Sequence, residues 1–272
     1  MPAIEMFDTA DLYENLSKIH SQKPLVHHIT NWVTIYDCAQ ITRATGALPV
    51  MAYAKEEVKE MVGLASALVI NIGTLTPDFV ESSILAGKKA NEMGTPVVLD
   101  AVGAGATRLR TKSALRIIEE VKLSVLKGNA GEIATLAGVN AEVRGVESMG
   151  VQSNVLKIAE KLAEKYGFTV AVTGKEDIVT DGKRTARVLN GHWMMGRVVG
   201  TGCMAASVIG SFLAVSDDIV KGSAYALSAY GIAGELAAEN SKAPMEFKHK
   251  MMDEMMLLSE EECKRMRLEE WK

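Results

Sequence analysis

Cysteine is scarce in this chain. The three present, Cys38, Cys203 and Cys263, are widely spaced and form no Cys-x-x-Cys pair. That argues against both a disulfide framework and a zinc site. An excess of positive charge is also missing: 30 Lys and Arg stand against 34 Asp and Glu, for a formal net charge of −4, and the basic residues are dispersed. A nucleic-acid partner is therefore not expected. Long apolar runs are absent too. Stretches such as Ala67 to Ile72 and Val97 to Leu99 fall far short of the roughly 20 residues a membrane-spanning helix needs. Glu5, Asp8 and Asp11 stand where a secretory signal would carry a basic end and an apolar stretch. A cytoplasmic protein without a membrane partner is the expectation. No linker, repeat or low-complexity tract divides the chain, so residues 1–272 are expected to form a single domain.

What is present is a sizeable apolar fraction, 48% of residues, arranged as short β-branched runs alternating with longer segments of helical period. That alternation predicts an α/β fold with a mainly parallel sheet covered by helices. Leu25 to Ile29, Leu48 to Met51, Ala67 to Ile72, Pro96 to Leu99, Ser124 to Leu126 and Thr169 to Val172 read as buried strands. Thr76-Pro77-Asp78 supplies an N-cap hydroxyl, a proline at the first helical position and an acid in the first turn. It predicts a helix running towards Asn91 and ending at Gly94. Asp177 to Gly182 and Arg184 to Leu189 read as an antiparallel hairpin turning around Asp181 to Lys183. The tail from Glu246 to Lys272 reads as a charged surface helix packing one Met/Leu face.

Chemistry concentrates where strands end. Gly200-Thr201-Gly202-Cys203 follows what reads as a strand-like run ending at Val199 and opens the apolar segment Met204 to Val215. Unpaired N–H groups and the helix dipole make such a turn an anion site, and a thiol at a helix start is drawn towards its thiolate form. Asp100 closes its strand ahead of Val102-Gly103-Ala104-Gly105-Ala106-Thr107, where a carboxylate could position Mg²⁺ against phosphates or simply cap a loop. Lys127-Gly128-Asn129-Ala130-Gly131-Glu132 reads two ways. Asn129 and Glu132 have the spacing of a helix cap; alternatively Glu132 reaches metal-bound waters, Asn129 orients the loop and Lys127 faces nucleotide phosphates. Thr173-Gly174 repeats the theme after another strand.

Asn129-x-x-Glu132 followed far downstream by a Gly-x-Gly anion turn resembles the pattern of the ribokinase-like small-molecule kinases. Within them the chain is similar to the hydroxyethylthiazole kinases of thiamine salvage. The residues carrying the match are Pro24 to Asn31, Pro49 to Ala52, Asn71 to Leu75, Leu99-Asp100 with Val102 to Thr107, Gly128-Asn129 with Glu132-Ile133, and Gly200 to Cys203. They span about residues 20 to 240. His28 and Ala101 depart from the family pattern, which has Asn and Pro there, and the segment from Ala243 to Phe247 replaces a Gly-rich one.

The resemblance implies a three-layer ribokinase-like fold, helices on both faces of the sheet, and Mg²⁺-dependent phosphorylation by ATP of the primary hydroxyl of 4-methyl-5-(2-hydroxyethyl)thiazole. It implies a homotrimer with sites between subunits. Met51 and Gly200 match thiazole-contacting positions, with Gly73 and Thr74 nearby. Lys127 and Thr173 match ATP-contacting positions, with Asn129 and Gly174 beside them. Asp100 and Glu132 match the magnesium and phosphate region. Cys203 stands where most ribokinase-like enzymes carry an aspartate base, and Gly202 beside it is the other expected catalytic position. Phosphoryl transfer through a loose transition state demands little of a base, so Cys203→Ala is expected to cost less turnover than Glu132→Gln or Gly202→Val. Two alternatives stand beside this reading: a kinase of the same fold acting on another small alcohol such as hydroxymethylpyrimidine, and a non-catalytic thiazole or nucleotide binder.

Overall fold

The computed structural model describes residues 7–139 and 149–271. The chain runs α1 (Thr9–Gln22), β1 (Leu25–Ile29), α2 (Ile35–Ala44), β2 (Leu48–Met51), α3 (Val58–Leu64), β3 (Ala67–Asn71), α4 (Pro77–Met93) and β4 (Val97–Asp100). It continues through α5 (Arg108–Glu120), β5 (Val125–Asn129), α6 (Ala130–Leu136), α7 (Met149–Tyr166), β6 (Thr169–Thr173), β7 (Asp177–Thr180) and β8 (Thr185–Val188). The last part holds α8 (Thr201–Leu213), α9 (Ile219–Glu239), α10 (Pro244–Leu257), α11 (Glu260–Cys263) and β9 (Leu268–Glu270).

All nine described strands join one sheet in the order β2-β1-β3-β4-β5-β6-β7-β8-β9. The six from β2 to β6 are parallel, and β6 to β9 continue antiparallel. Because successive strand side chains point to opposite faces, each buried strand feeds two cores. Val69, Val98 and Val125 pack with α1, α8, α9 and α10 on one face. Leu68, Ile70, Leu99 and Leu126 pack with α4, α5, α6 and α7 on the other. This is the expected three-layer α/β architecture. The predicted helix after Thr76 forms as α4: Thr76 accepts the Phe79 N–H, and Gly94 closes the helix in the left-handed region at φ 71°.

Two expectations are corrected. The strand-like run before Gly200 is a 3-10 turn over Trp193–Arg197. The turn packs against α9: a side chain on Gly234 would strike Met195 Sδ at 2.9 Å, and one on Gly231 would strike the Asn190 main chain just before the turn at 2.6 Å, while Trp193 stays exposed. The tail is not one helix. α10 buries Phe247, Met251 and Met255, but the chain then turns through α11 and adds β9 to the sheet beside β8.

α8 brings the glycine turn to the sheet. From Met204 to Leu213 every residue is buried, so this helix lies inside the molecule. Gly210 lets it close on the strands, since a Cβ there would meet Val69 Cγ2 at 2.5 Å. Its N-terminus lies over the carboxyl ends of the parallel strands, where open α/β sheets place their ligands.

Candidate active site

Parallel register sets three site residues side by side. Asn71 pairs with Asp100 across β3 and β4, and Asp100 with Lys127 across β4 and β5. Asp100 Oδ2 accepts from Asn71 Nδ2 at 2.7 Å, and Asp100 Oδ1 from Lys127 Nζ at 3.0 Å. Both members of the ion pair are buried. Burial pushes the Asp100 carboxyl up to about 6; Lys127 and Asn71 pull it back while Glu132 adds to the rise. Burial also works against the Lys127 charge, but Asp100 and then Glu132 outweigh it and hold the ammonium above its usual range. At pH 7 this is an ion pair. Taking two charges out of water is costly and adds little stability, which makes the pair a candidate functional position.

Lys127 also faces α8. A Cβ on Gly202 would lie 3.1 Å from Lys127 Nζ. Gly200 is the N-cap, in the left-handed region at φ 94°, and it caps with no side chain. The first intrahelical bond reaches Met204 N from Gly200 O at 2.8 Å, so the N–H groups of Thr201, Gly202 and Cys203 have no helical acceptor. Tyr230 of α9 donates its hydroxyl to Thr201 O at 3.1 Å and steadies the turn from behind. Cys203 Sγ accepts from Asn31 Nδ2 at 3.4 Å, and the same amide donates to Asn71 Oδ1 at 2.9 Å. A continuous polar chain therefore runs from Cys203 through Asn31, Asn71 and Asp100 to Lys127.

Glu132 serves the capping reading in full. It is the N3 residue of a capping box on α6, with Asn129 Oδ1 accepting from Glu132 N at 2.9 Å and Glu132 Oε2 from Asn129 N at 2.7 Å. Its other oxygen accepts from Gly103 N at 2.7 Å, tying down the glycine loop after β4.

The remaining expected residues fall on either side. Met51 ends the edge strand β2, half-buried, and pairs in register with His28. Gly73 N donates to Asn71 Oδ1 at 3.0 Å, and Thr74 Oγ1 accepts from Trp32 N at 3.0 Å. A cleft of about 380 Å³ opens beside Thr74, lined by Trp32, Tyr53, Thr76 and Phe79 among others. Thr173 ends β6 opposite Asn129, and Gly174 N donates to Asp177 Oδ1 at 2.8 Å. Burial pushes the Asp177 carboxyl up to about 7, against the pull of the Gly174 N–H and of Lys127. Met51 and Thr173 are five strand spacings apart, roughly 24 Å. No one small ligand touches both; the Lys127–Asp100–α8 group lies between them.

The two departures are core positions. His28 is buried, with Nδ1 on Val26 O at 3.0 Å and Nε2 on Thr42 Oγ1 at 3.3 Å, and burial lowers it to about 4, so it is neutral. Ala101 donates its N–H to Lys127 O at 3.0 Å, a bond proline lacks, and so extends the β4–β5 ladder to the site. The expected site residues did not include Asn31, Asn71 or Arg110. The first two stood in matched motifs at strand ends, but nothing in their spacing distinguished a site amide from a turn residue.

The family model of the Hydroxyethylthiazole kinase family matches residues 16–261. The chain is 54% identical to a hydroxyethylthiazole kinase of Methanosarcina mazei over 92% of its length and 96% of that protein's. It is 55% identical to one from a Thermoanaerobacter species over 91% and 95%. A solved hydroxyethylthiazole kinase from Pyrococcus horikoshii superposes with a TM-score of 0.90 at 42% identity, covering 97% of this chain and 100% of that one. A pyridoxal kinase of Staphylococcus aureus shares the fold, with a TM-score of 0.62 at 14% identity over 81% of this chain and 89% of its own. With register, glycine turn and sequence in agreement, the chain belongs to the hydroxyethylthiazole kinase family.

Proposed function

We propose that this kinase moves the γ-phosphoryl group of ATP onto the primary hydroxyl of 4-methyl-5-(2-hydroxyethyl)thiazole at the open first turn of α8. The observation that carries the reading is the uncapped N-terminus of α8, with the buried Lys127 ammonium against Gly202. The thiazole lies on the Met51, Gly73, Thr74 and Gly200 side, and the nucleotide on the Asn129, Thr173 and Gly174 side. The alcohol oxygen attacks phosphorus as the bond to the β-phosphate breaks. The amides of Gly202 and Cys203 and the Lys127 ammonium hold the charge on the transferring group. The hydroxyl proton leaves late and can pass to the product phosphate, so Cys203 lines and orients. A base there is worth roughly 10²- to 10⁴-fold at most.

Mg²⁺ fits this site as a hydrated ion. Among the described residues no group of three or more His, Cys, Asp or Glu side chains is arranged to grip a metal directly. The oxygens of Glu132 each accept one protein hydrogen bond and keep a second acceptor site for a metal-bound water, whereas Asp100 is fully buried and paired with Lys127. Glu132 would hold such waters at the cleft, with Asp100 acting through Lys127. The ion, when bound, neutralises phosphate charge.

The assembly we propose is a homotrimer of single-domain subunits, each site completed by a neighbour, working in the cytoplasm. Its support is the apolar rim of the glycine turn, where Val33, Tyr36, Trp193 and Val199 are 67–74% exposed, more than a lone soluble surface commonly leaves together. Among the described residues no helix is long and apolar enough to cross a membrane.

The test is ADP release in a coupled assay. It is expected to require both the thiazole alcohol and Mg²⁺, and to be negligible with hydroxymethylpyrimidine. Release driven by the pyrimidine would favour the other alcohol kinase, and binding of thiazole without ADP release would favour a sensor.

A further inference from the structure

Arg110 is placed against its own helix. It lies in the first turn of α5, which begins Arg-Leu-Arg and has no acidic residue there, although the positive end of a helix dipole disfavours cations. Tertiary contacts explain the position. The guanidinium donates from Nη1 to Ile72 O and Val102 O, both at 3.0 Å, and from Nη2 to Gly73 O at 2.6 Å. All three acceptors are main-chain carbonyls, and they belong to two different loops. Gly103 makes the room: it is left-handed at φ 77°, and a Cβ there would meet Arg110 Cδ at 2.9 Å.

Both loops continue into the site. Gly73 is bonded through its N–H to Asn71, which bonds Asp100. Gly103 is bonded through its N–H to Glu132. One planar cation therefore clamps the loop of Gly73 and Thr74 onto the loop that Glu132 holds. We infer that Arg110 is a positioning residue that keeps the alcohol-binding loop in register with the phosphate-side carboxylates. The inference rests on the proposed function for the names of the two subsites, but the clamp itself does not. Lysine cannot replace it, because a single ammonium lacks the fixed fork that reaches acceptors on two loops.

Kinetics of Arg110→Ala and Arg110→Lys, with guanidinium added back to the former, test the inference. Arg110→Ala is expected to raise KM for the thiazole alcohol about tenfold or more, from the loss of charge-assisted bonds, while KM for ATP moves less. Arg110→Lys should show a smaller rise of the same kind, and millimolar guanidinium should recover part of the loss in Arg110→Ala. An unchanged alcohol KM in both variants overturns the inference, whether or not the melting temperature falls. Hydrogen exchange of the ligand-free protein keeps the clamp separate from the function. Amides of residues 72–74 and 102–104 should exchange faster in Arg110→Lys, and unchanged exchange overturns the clamp even if the wild type proves to act on another alcohol.

Discussion

Two helix starts lie at the same end of the sheet and treat their free N–H groups in opposite ways. α6 closes its own: Asn129 and Glu132 satisfy each other's backbone, and the spare oxygen of Glu132 takes the Gly103 N–H. α8 leaves its first turn open: its N-cap is a glycine, no side chain caps it, and a buried lysine stands beside it. A capped terminus is a structural joint, while an open one keeps its donors for an anion. The similar-looking motifs Asn129-x-x-Glu132 and Gly200-x-Gly202 thus differ: one ties loops together, and the other leaves its N–H donors open, the place we propose for the phosphoryl group.

The comparison breaks most severely at Gly200. Gly200→Ala places a side chain in a left-handed backbone and 2.5 Å from Thr34 Cγ2. It is expected to destabilise the protein by about 2–4 kcal/mol and abolish most turnover, as read by denaturant melts and initial rates. At the closed terminus, Glu132→Gln replaces one carboxylate oxygen with a donor facing either the Gly103 or the Asn129 N–H. A loss of about 1–3 kcal/mol follows from the unsatisfied group, together with a fall in kcat from the released glycine loop. If stability falls and kcat does not, Glu132 is a cap alone.

How far each feature could be read from sequence depended on the range of the contacts that fix it. β1 to β6 and α4 were legible because burial and capping write themselves into neighbouring residues. The hairpin of β7 and β8 was legible from its turn. The 3-10 turn of Trp193–Arg197 was not, since it packs through Met195 against Gly234 of α9, far away in sequence. Nor was β9, whose Leu-Glu-Glu sequence reads as solvent-exposed and pairs only because β8 offers an open edge and Arg187 meets Glu269. In the candidate site, motif spacing singled out Asp100, Lys127 and Gly202, and register and helix placement bring them together. It left both readings of Glu132 open, and the structure shows the capping one. Asn31 and Arg110 act through contacts with distant residues, which no local pattern encodes.

A milder probe concerns the Gly174 turn, closed like α6 by a side chain, here Asp177. Its carboxyl, ordinarily near 3.8, is raised to about 7 by burial, so folding disfavours the ionised form. No penalty exists below pH 4; it grows between pH 4 and 7 and is complete above 7. Asp177→Asn keeps an acceptor for Gly174 and removes the charge. It should stabilise the protein at pH 8 and give no gain at pH 4. A gain independent of pH would show that ionisation is not its source.

In the proposed reaction the open backbone turn, and not the thiol within it, carries phosphoryl transfer. Comparing kcat of Cys203→Ala and Gly202→Val at saturating ATP and thiazole alcohol separates the two contributions. Gly202→Val, which pushes a side chain into Lys127, should lose about 10²- to 10³-fold, and Cys203→Ala less, because a loose transition state demands little of a base. Abolished turnover in a folded Cys203→Ala protein, with Gly202→Val still active, would instead put the chemistry on the thiol.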